Sequence, residues 1–424
     1  MSTNPTPSAA LSPVAPEERV FGFSAHLSLW FSLGVGLLVM QVGAYLVPAV
    51  GTREALWAIA LGSLIGAGLL GWTAAIGTRT GLSSAGLMHA TYGSAFARLP
   101  VLLNIVQLLG WTAFELVVMR DGTIAILGQV FGIGSGPLAI VLATLLWGGV
   151  LTLLMTGSML TLVRRFVARV GLPLVVLSLL WLSWHFLGVL QDKGVDAFLA
   201  REGNGQMGML SALGLVMAMP VSWLPLVADY ARHGRGTRST LGGTWLGYAL
   251  ANAWCYALGV LVASVSEPGT DLVTALLLAQ GGLLALGLIL LDELDNAYGD
   301  VYSAAVSSSS LRPGPLRRWG VWIALACTGM AMVLPMHSLE PFLLMLSSVF
   351  VPLYGVILGR LGLGDAAQPQ RNAVDRSAVA LWLLGVVVYH AVERLAPQWG
   401  ASLVALGLCF VLAALTRARP AQAA

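Results

Sequence analysis

Five polar side chains able to hold a cation or a hydrogen-bonding ligand stand inside one apolar stretch. Asp292, Glu293, Asp295, Asn296 and Asp300 lie in LLALGLILLDELDNAYGDVYSAAVSSSSL, residues 283–311. An ionisable group at bilayer depth costs ~2.5–3.5 kcal/mol on insertion scales, so each is a candidate for function. Helical spacing sorts them. From Asp292, the residues Asp295, Asn296 and Gly299 fall within ~60° of one stripe, while Glu293 and Asp300 share a neighbouring one. One stripe suits a cation and the other a substrate. Upstream, Trp111 and Glu115 are four apart and share a helix face. An indole face stacks a flat ring. A carboxylic acid beside it can pair with a ring nitrogen and its exocyclic amine, donating one proton and accepting another. If the ring is protonated, the ionised carboxylate serves equally well. Either case prefers an amino-substituted ring to a carbonyl-only ring such as uracil. Glu115, Asp121, Asp292, Glu293, Asp295 and Asp300 together make six acids, against Arg120 as the one basic residue within a span. Six unpaired anions cannot all stay ionised in hydrocarbon; some bind a cation, hold a proton or face water. Arg120 and Asp121 also have a plain structural use, in neutralising each other.

The elements that must position these groups are membrane helices. The 424 residues are 57% hydrophobic and 10% charged, where a soluble domain carries about 25% charged residues. The apolar runs are continuous and long enough for helices rather than barrel strands. Twelve spans are expected, near 28–50, 55–77, 99–131, 136–157, 168–190, 208–230, 243–266, 272–310, 319–336, 341–359, 378–395 and 398–416. With both termini cytoplasmic, 17 Lys and Arg fall on the cytoplasmic side and 4 on the other, with Arg120 within a span. That asymmetry sets the orientation in the inner (plasma) membrane. The net charge of +3 therefore reports topology and implies no nucleic acid. Residues 1–24 read as a disordered cytoplasmic tail, 25–190 and 208–360 as two five-span units, 378–416 as two added spans, and 417–424 as a C-terminal tail. Cys255, Cys327 and Cys409 form no metal or disulfide pattern. No metal-binding His pair, nucleophile–base pair or P-loop argues for an enzyme.

Spans 1 and 6 are irregular. Gly34, Gly36 and Gly43 surround Gln41 in the first, which invites local unwinding. Pro220 and Pro225 each remove a backbone donor from the sixth, which favours a break over a kink. Spans 1 and 6 stand five apart, as do the acidic spans 3 and 8. A five-helix unit used twice inverts on repetition and places a site at the midplane.

Four segments carry a family resemblance: MQVGAYLVPAVG, QLLGWTAFE, MPVSWLPLVADYAR, and GDVYSAAVS with the later EPFLLMLSSVFVPLYGVIL. The chain resembles the nucleobase:cation symporter-1 family, in the branch of cytosine permease and hydroxymethylpyrimidine permeases. The resemblance implies an all-α polytopic membrane protein. Its twelve transmembrane helices would form a LeuT-like five-plus-five inverted repeat with two C-terminal helices. A flat heterocycle would sit between helices 1, 3, 6 and 8. Trp111 falls on the stacking position and Glu115 on the hydrogen-bonding position that is often an amide in relatives. Gln41 falls after the helix 1 break. Pro220 falls where helix 6 usually supplies a second aromatic, with Trp223 one turn on. Asn296 and Asp300 fall toward the substrate. Relatives hold sodium with carbonyls of helix 1 and hydroxyls of helix 8. The matching carbonyls are those of Leu37, Met40 and Leu291, and the side-chain positions read Leu294, Asp295 and Asn296, flanked by Asp292 and Glu293. Acids in place of hydroxyls allow Na+ or H+ as the coupling ion. The expected function is import of a pyrimidine-type heterocycle, a thiamin precursor such as hydroxymethylpyrimidine or a cytosine-like ring, with no cofactor. Its partners are the small ligand and the lipid bilayer, and the sequence leaves the oligomeric state open. The rivals are a carrier for a cationic amine or thiamin-like compound, a channel and a membrane-embedded enzyme.

Overall fold

The computed structural model describes residues 10–157, 170–267, 269–333, 339–364 and 372–416. The expected C-terminal tail 417–424, residues 1–9, His337, and Arg164, Arg165, Arg169, Arg371, Arg417 and Arg419 lie outside the described residues.

The first expected span is two helices, α1 (Phe23–Ser32) and α2 (Leu37–Ala49), bent by 61°. Gly36 is extended at the break (φ 176°, ψ 152°), a conformation open to any residue, so the glycines matter for space. A Cβ on Gly34 would lie 2.9 Å from the Ala251 Cβ, and one on Gly36 would lie 3.3 Å from Glu293 Oε1. The chain continues through α3 (Thr52–Thr80), α4 (Ser84–Tyr92), α5 (Arg98–Phe131), α6 (Pro137–Leu154), α7 (Leu172–Lys193) and the short α8 (Val195–Ala200).

The sixth span is less broken than its prolines suggest. α9 (Met209–Ser222) and α10 (Leu224–Ala231) are separated by Trp223 alone and run as one span. Pro225 sits in the first turn of α10, where a missing donor is harmless. Trp223 bridges the joint with tighter bonds, from its N–H to Pro220 O (3.3 Å) and from Leu226 N–H to Trp223 O (3.1 Å). α11 (Thr237–Val265) follows. The eighth expected span divides into α12 (Leu272–Leu278) and α13 (Gly282–Leu311), because Gly281 turns left-handed at φ 72°. α14 (Leu316–Val333), α15 (Leu339–Leu361), α16 (Arg376–Leu395) and α17 (Ala401–Leu415) complete the described helices. Among the described residues, eight helices are long and apolar enough to cross a membrane, and the bent α1–α2 pair makes a ninth. α13 with its four acids, α14 and the 15-residue α17 fall in the other three expected spans.

α11 packs along α1, α2 and α3, and α13 packs along α5. The α2–α11 crossing is close because both sides lack a Cβ: Gly43 faces the Tyr256 backbone and Gly259 faces the Met40 carbonyl. Small residues let membrane helices approach this way. α7 and α16 turn apolar side chains outward, with Trp184 78% and Val387 65% exposed, as suits contact with lipid.

Residues 10–22 do not behave as the expected disordered tail. Val14 N–H donates to Gly81 O (2.9 Å), Ser83 Oγ to Ala10 O (2.5 Å) and Arg19 Nη1 to Thr78 O (3.3 Å). Phe21 donates to His233 O and accepts from Arg235 N–H, at 2.9 and 2.8 Å. Its buried ring meets His26 and His233 edge-on. Composition suggested disorder, but backbone pairing and one buried aromatic hold the segment across the ends of α1, α3 and α10.

Gly259→Val should push α2 off α11 and cost ~1–3 kcal/mol by overpacking, read as a lower melting temperature of the purified protein. An unchanged melting temperature would show that the crossing tolerates side chains.

Candidate functional site

The break in the first span frees backbone groups, and α13 supplies their partners. Leu37 N–H donates to Glu293 Oε1 at 2.5 Å. Asn296 Nδ2 donates to Val35 O (3.1 Å) and to Glu293 Oε2 (3.3 Å). Leu37 opens α2, so the Glu293 carboxyl group takes up one of the backbone donors that a helix N-terminus leaves free.

A cavity lies at this break. Trp111, Trp223 and Tyr248 give it aromatic walls, and Ser222, Glu115, Glu293, Asn296 and Asp300 give it polar ones. Its free volume is about 20 Å³, room for about one water. A heterocycle therefore enters only when the walls separate. Trp111 is held edge-on by Phe342 (ring centroids 5.2 Å apart) and tilted against Phe114 (6.3 Å). The Glu115 and Glu293 carboxyl groups meet within hydrogen-bonding reach. Glu115 Oε2, Asn296 Oδ1 and Trp111 Nε1 are buried without a hydrogen-bond partner. On the α1 side Trp30 meets Trp223 edge-on at 6.0 Å and packs against Tyr230 at 6.4 Å, an aromatic layer that closes that direction.

A second acid group stands beside the end of α1. Ser32 Oγ lies 2.8 Å from Asp292 Oδ1 and 3.4 Å from Asp295 Oδ2. One hydroxyl carries one hydrogen, so it cannot satisfy both carboxyls at once. Asp292 Oδ2 is buried without a partner.

The structure brings together Trp111, Glu115, Trp223, Asn296 and Asp300 around the cavity, and separately Asp292 with Asp295. It places other expected residues elsewhere. Gln41 lines a second cavity of about 360 Å³ with Asp121 and Asp271, on the far side of Leu38, which borders both. Pro220 packs against Gly66 of α3. Leu37 and Met40 lie in α2, beyond the break: Leu37 offers an N–H, and the Met40 carbonyl faces Gly259. Leu291 turns its side chain outward, half exposed, while that of Leu294 is buried. In the first span it is Ser32, at the end of α1, that lies beside Asp292 and Asp295. Arg120 donates to Asp121 (2.6 Å) and to Ala331 O (3.0 Å), the structural use its position allowed.

Ser32, Ser222 and Tyr248 were not among the expected site residues. Glu293 had a signal, since it stands three before Asn296 and seven before Asp300. Asp229 stands in α10 just before Arg232, whose Nε donates to the Asp229 backbone carbonyl at 3.3 Å. It is fully buried, accepts from Ser84 N–H (2.9 Å) and from the Ser303 hydroxyl, and so ties α10 to α4 and α13.

A cavity at an interrupted membrane-spanning helix, with a stacking face, acids and closed walls, defines a secondary transporter rather than an enzyme. The chain belongs to the family of permeases for cytosine/purines, uracil, thiamine and allantoin, whose family model matches residues 13–362. Among solved structures it is similar to Mhp1, a nucleobase-cation-symport-1 family transporter, in a closed conformation with bromovinylhydantoin bound. That match has 17% identity and a TM-score of 0.77, covering 96% of this chain and 94% of that one. The inward-facing conformation of Mhp1 matches with 17% identity and a TM-score of 0.75, over 96% and 92% of the two chains. A Na+-coupled sialic acid symporter in a substrate-bound outward-open state matches with 12% identity and a TM-score of 0.64, over 94% and 90%. These likenesses show a LeuT-like fold. No curated protein sequence matches the chain.

Asn296→Ala should leave the buried Val35 carbonyl without its donor and cost ~1–3 kcal/mol. Thermal denaturation checks this, and a wild-type melting temperature would mean that the break is held without Asn296.

Proposed function

We propose that the protein imports an amino-substituted pyrimidine, of the hydroxymethylpyrimidine or cytosine type, across the plasma membrane by cation-coupled alternating access. The observation that carries this reading is the Trp111 indole beside the free Glu115 carboxyl oxygen on one cavity wall. The indole stacks the ring and the carboxyl reads its amine and adjacent nitrogen. The likeness to Mhp1 with bromovinylhydantoin bound is consistent with this assignment.

The coupling ion, Na+ or H+, is assigned to Asp292 and Asp295 about Ser32. Two buried carboxyls around one hydroxyl require a positive charge between them. A cation there pulls the end of α1 toward α13, and Glu293 and Asn296 hold the start of α2 against the same helix. Ion and substrate thus act on the two sides of one break. α1 is the element that swings, in a chain of two five-span units, 25–190 and 208–360, with both termini cytoplasmic. The second cavity, with Gln41, is the path by which the ring approaches from outside.

Trp111→Ala should abolish saturable pyrimidine binding in a fold that still melts cooperatively. Ligand-induced thermal shift checks this, because binding adds RT ln(1 + [L]/Kd); full retained affinity would remove the stacking assignment. Asp295→Asn should change the sodium or pH dependence of uptake into proteoliposomes. The same ion profile as wild type would remove Asp295 from coupling.

A further inference from the structure

The groups facing the cavity are unbalanced in one direction. Glu115 comes from α5, and Glu293, Asn296 and Asp300 from α13; Tyr248 comes from α11 and Ser222 from α9. No Lys, Arg or His is among the described lining residues. Arg120, one turn or so beyond Glu115, is spent on Asp121 and the Ala331 carbonyl. Among the unpartnered atoms there, Glu115 Oε2 and Asn296 Oδ1 are acceptors, in side chains 5% and 4% exposed, Trp111 Nε1 is a donor, and the Tyr248 hydroxyl can donate or accept. A ring carbonyl aimed at Glu115 or at Asn296 Oδ1 would bring acceptor to acceptor.

Two carboxyl groups in contact cannot both be ionised without a positive charge between them. Glu293 already accepts from Leu37 N–H and Asn296 Nδ2. Those donors engage both Glu293 oxygens from the α2 side, so the contact with Glu115 has one place for an added positive group.

We infer that the ligand is bound as a cation, its amidinium-type edge of two adjacent N–H donors seated between Glu115 and Glu293. This inference rests on the proposed binding of a ring beside Trp111. Glu293 is then a specificity-determining residue as well as the clamp on α2. A protonated aminopyrimidine presents such an edge through its ring N–H and its amine, as does any aromatic amidinium. The positive charge arrives with the ligand and leaves with it.

Benzamidine and benzamide test this on the purified full-length protein. They share a shape, but the first is a cation at neutral pH and the second is neutral with a carbonyl on the same edge. Benzamidine should raise the melting temperature at about tenfold lower concentration than benzamide, the difference between charged and neutral hydrogen bonds. Glu293→Gln keeps an oxygen for Leu37 N–H, so the fold should persist while the preference falls to about threefold or less. Equal action of the two probes on the wild type, or an undiminished preference in Glu293→Gln, overturns the inference. In the same assay a neutral panel of cytosine and hydroxymethylpyrimidine separates the two failures. If the neutral pyrimidines bind and benzamidine has no advantage, the cationic edge is wrong and the transport reading stands. If no ring compound binds or enters proteoliposomes, the transport reading has failed with it.

Discussion

A helix interrupted inside a membrane must find partners for the backbone groups it frees, because no solvent is there to take them. Here the partners are two side chains of one other helix. Glu293 takes the Leu37 N–H and Asn296 gives to the Val35 carbonyl. The rest of the site depends on that arrangement. It fixes α13 against the break, which brings Glu115 of α5 to Glu293 and leaves a cavity roofed by Trp111. It also orients α13 so that Asp292 and Asp295 face Ser32 on the other side of the hinge. A single helix thus presents one pair of polar groups to the start of α2 and another to the end of α1.

Both faces of α13 are short of positive charge, and the scaffold supplies none. That is a costly arrangement for a static protein. It is a natural one for a carrier, since the missing charge can be the cargo or its companion ion. Close packing elsewhere keeps the hinge from relaxing the strain by drifting. Gly43 and Gly259 bring α2 against α11, and Asp229 binds α10 to α4 and α13. In the proposed cycle the moving part is α1, with the aromatic layer of Trp30, Trp223 and Tyr230 beside it.

Much of this was legible from residue types. Apolar runs of membrane length marked the spans, and Gly34 and Gly36 marked the break. Trp111 and Glu115, four apart, marked the cavity wall. What was not legible depended on where the break falls to within one turn. The break falls at residues 33–36, which leaves Leu37 and Met40 inside α2 and puts Ser32 beside Asp292 and Asp295. It also carries Gln41 past Leu38 into the second cavity. Asn296 was assigned to the stripe of Asp292 and Asp295, yet it pairs with Glu293, because helix angles alone cannot say which side of a stripe meets a neighbour. Pro220 and Pro225 suggested a break, but one lies in a last turn and the other in a first turn, where neither disturbs much. The eighth span divided at Gly281 through a left-handed turn that apolar composition hides. Residues 10–22 read as tail because Pro, Ser and Ala give no periodic signal for a segment held by backbone pairing.

The strap that contains Phe21 runs directly into α1, the helix proposed to swing as the cavity opens. Lock and lever are therefore one covalent piece, and α1 cannot tilt far without peeling Phe21 from His233 and Arg235. Two backbone bonds at ~0.5–1.5 kcal/mol each and a buried ring at ~1.5–3 kcal/mol bias the resting balance toward the closed form. Each ~1.4 kcal/mol of that bias is a tenfold change in the ratio of open to closed molecules. In the proposed cycle residues 10–22 would thus act as a thermodynamic ballast on transport. A tag, truncation or binding partner at this end of the chain would reset turnover without touching a single residue that meets the ligand.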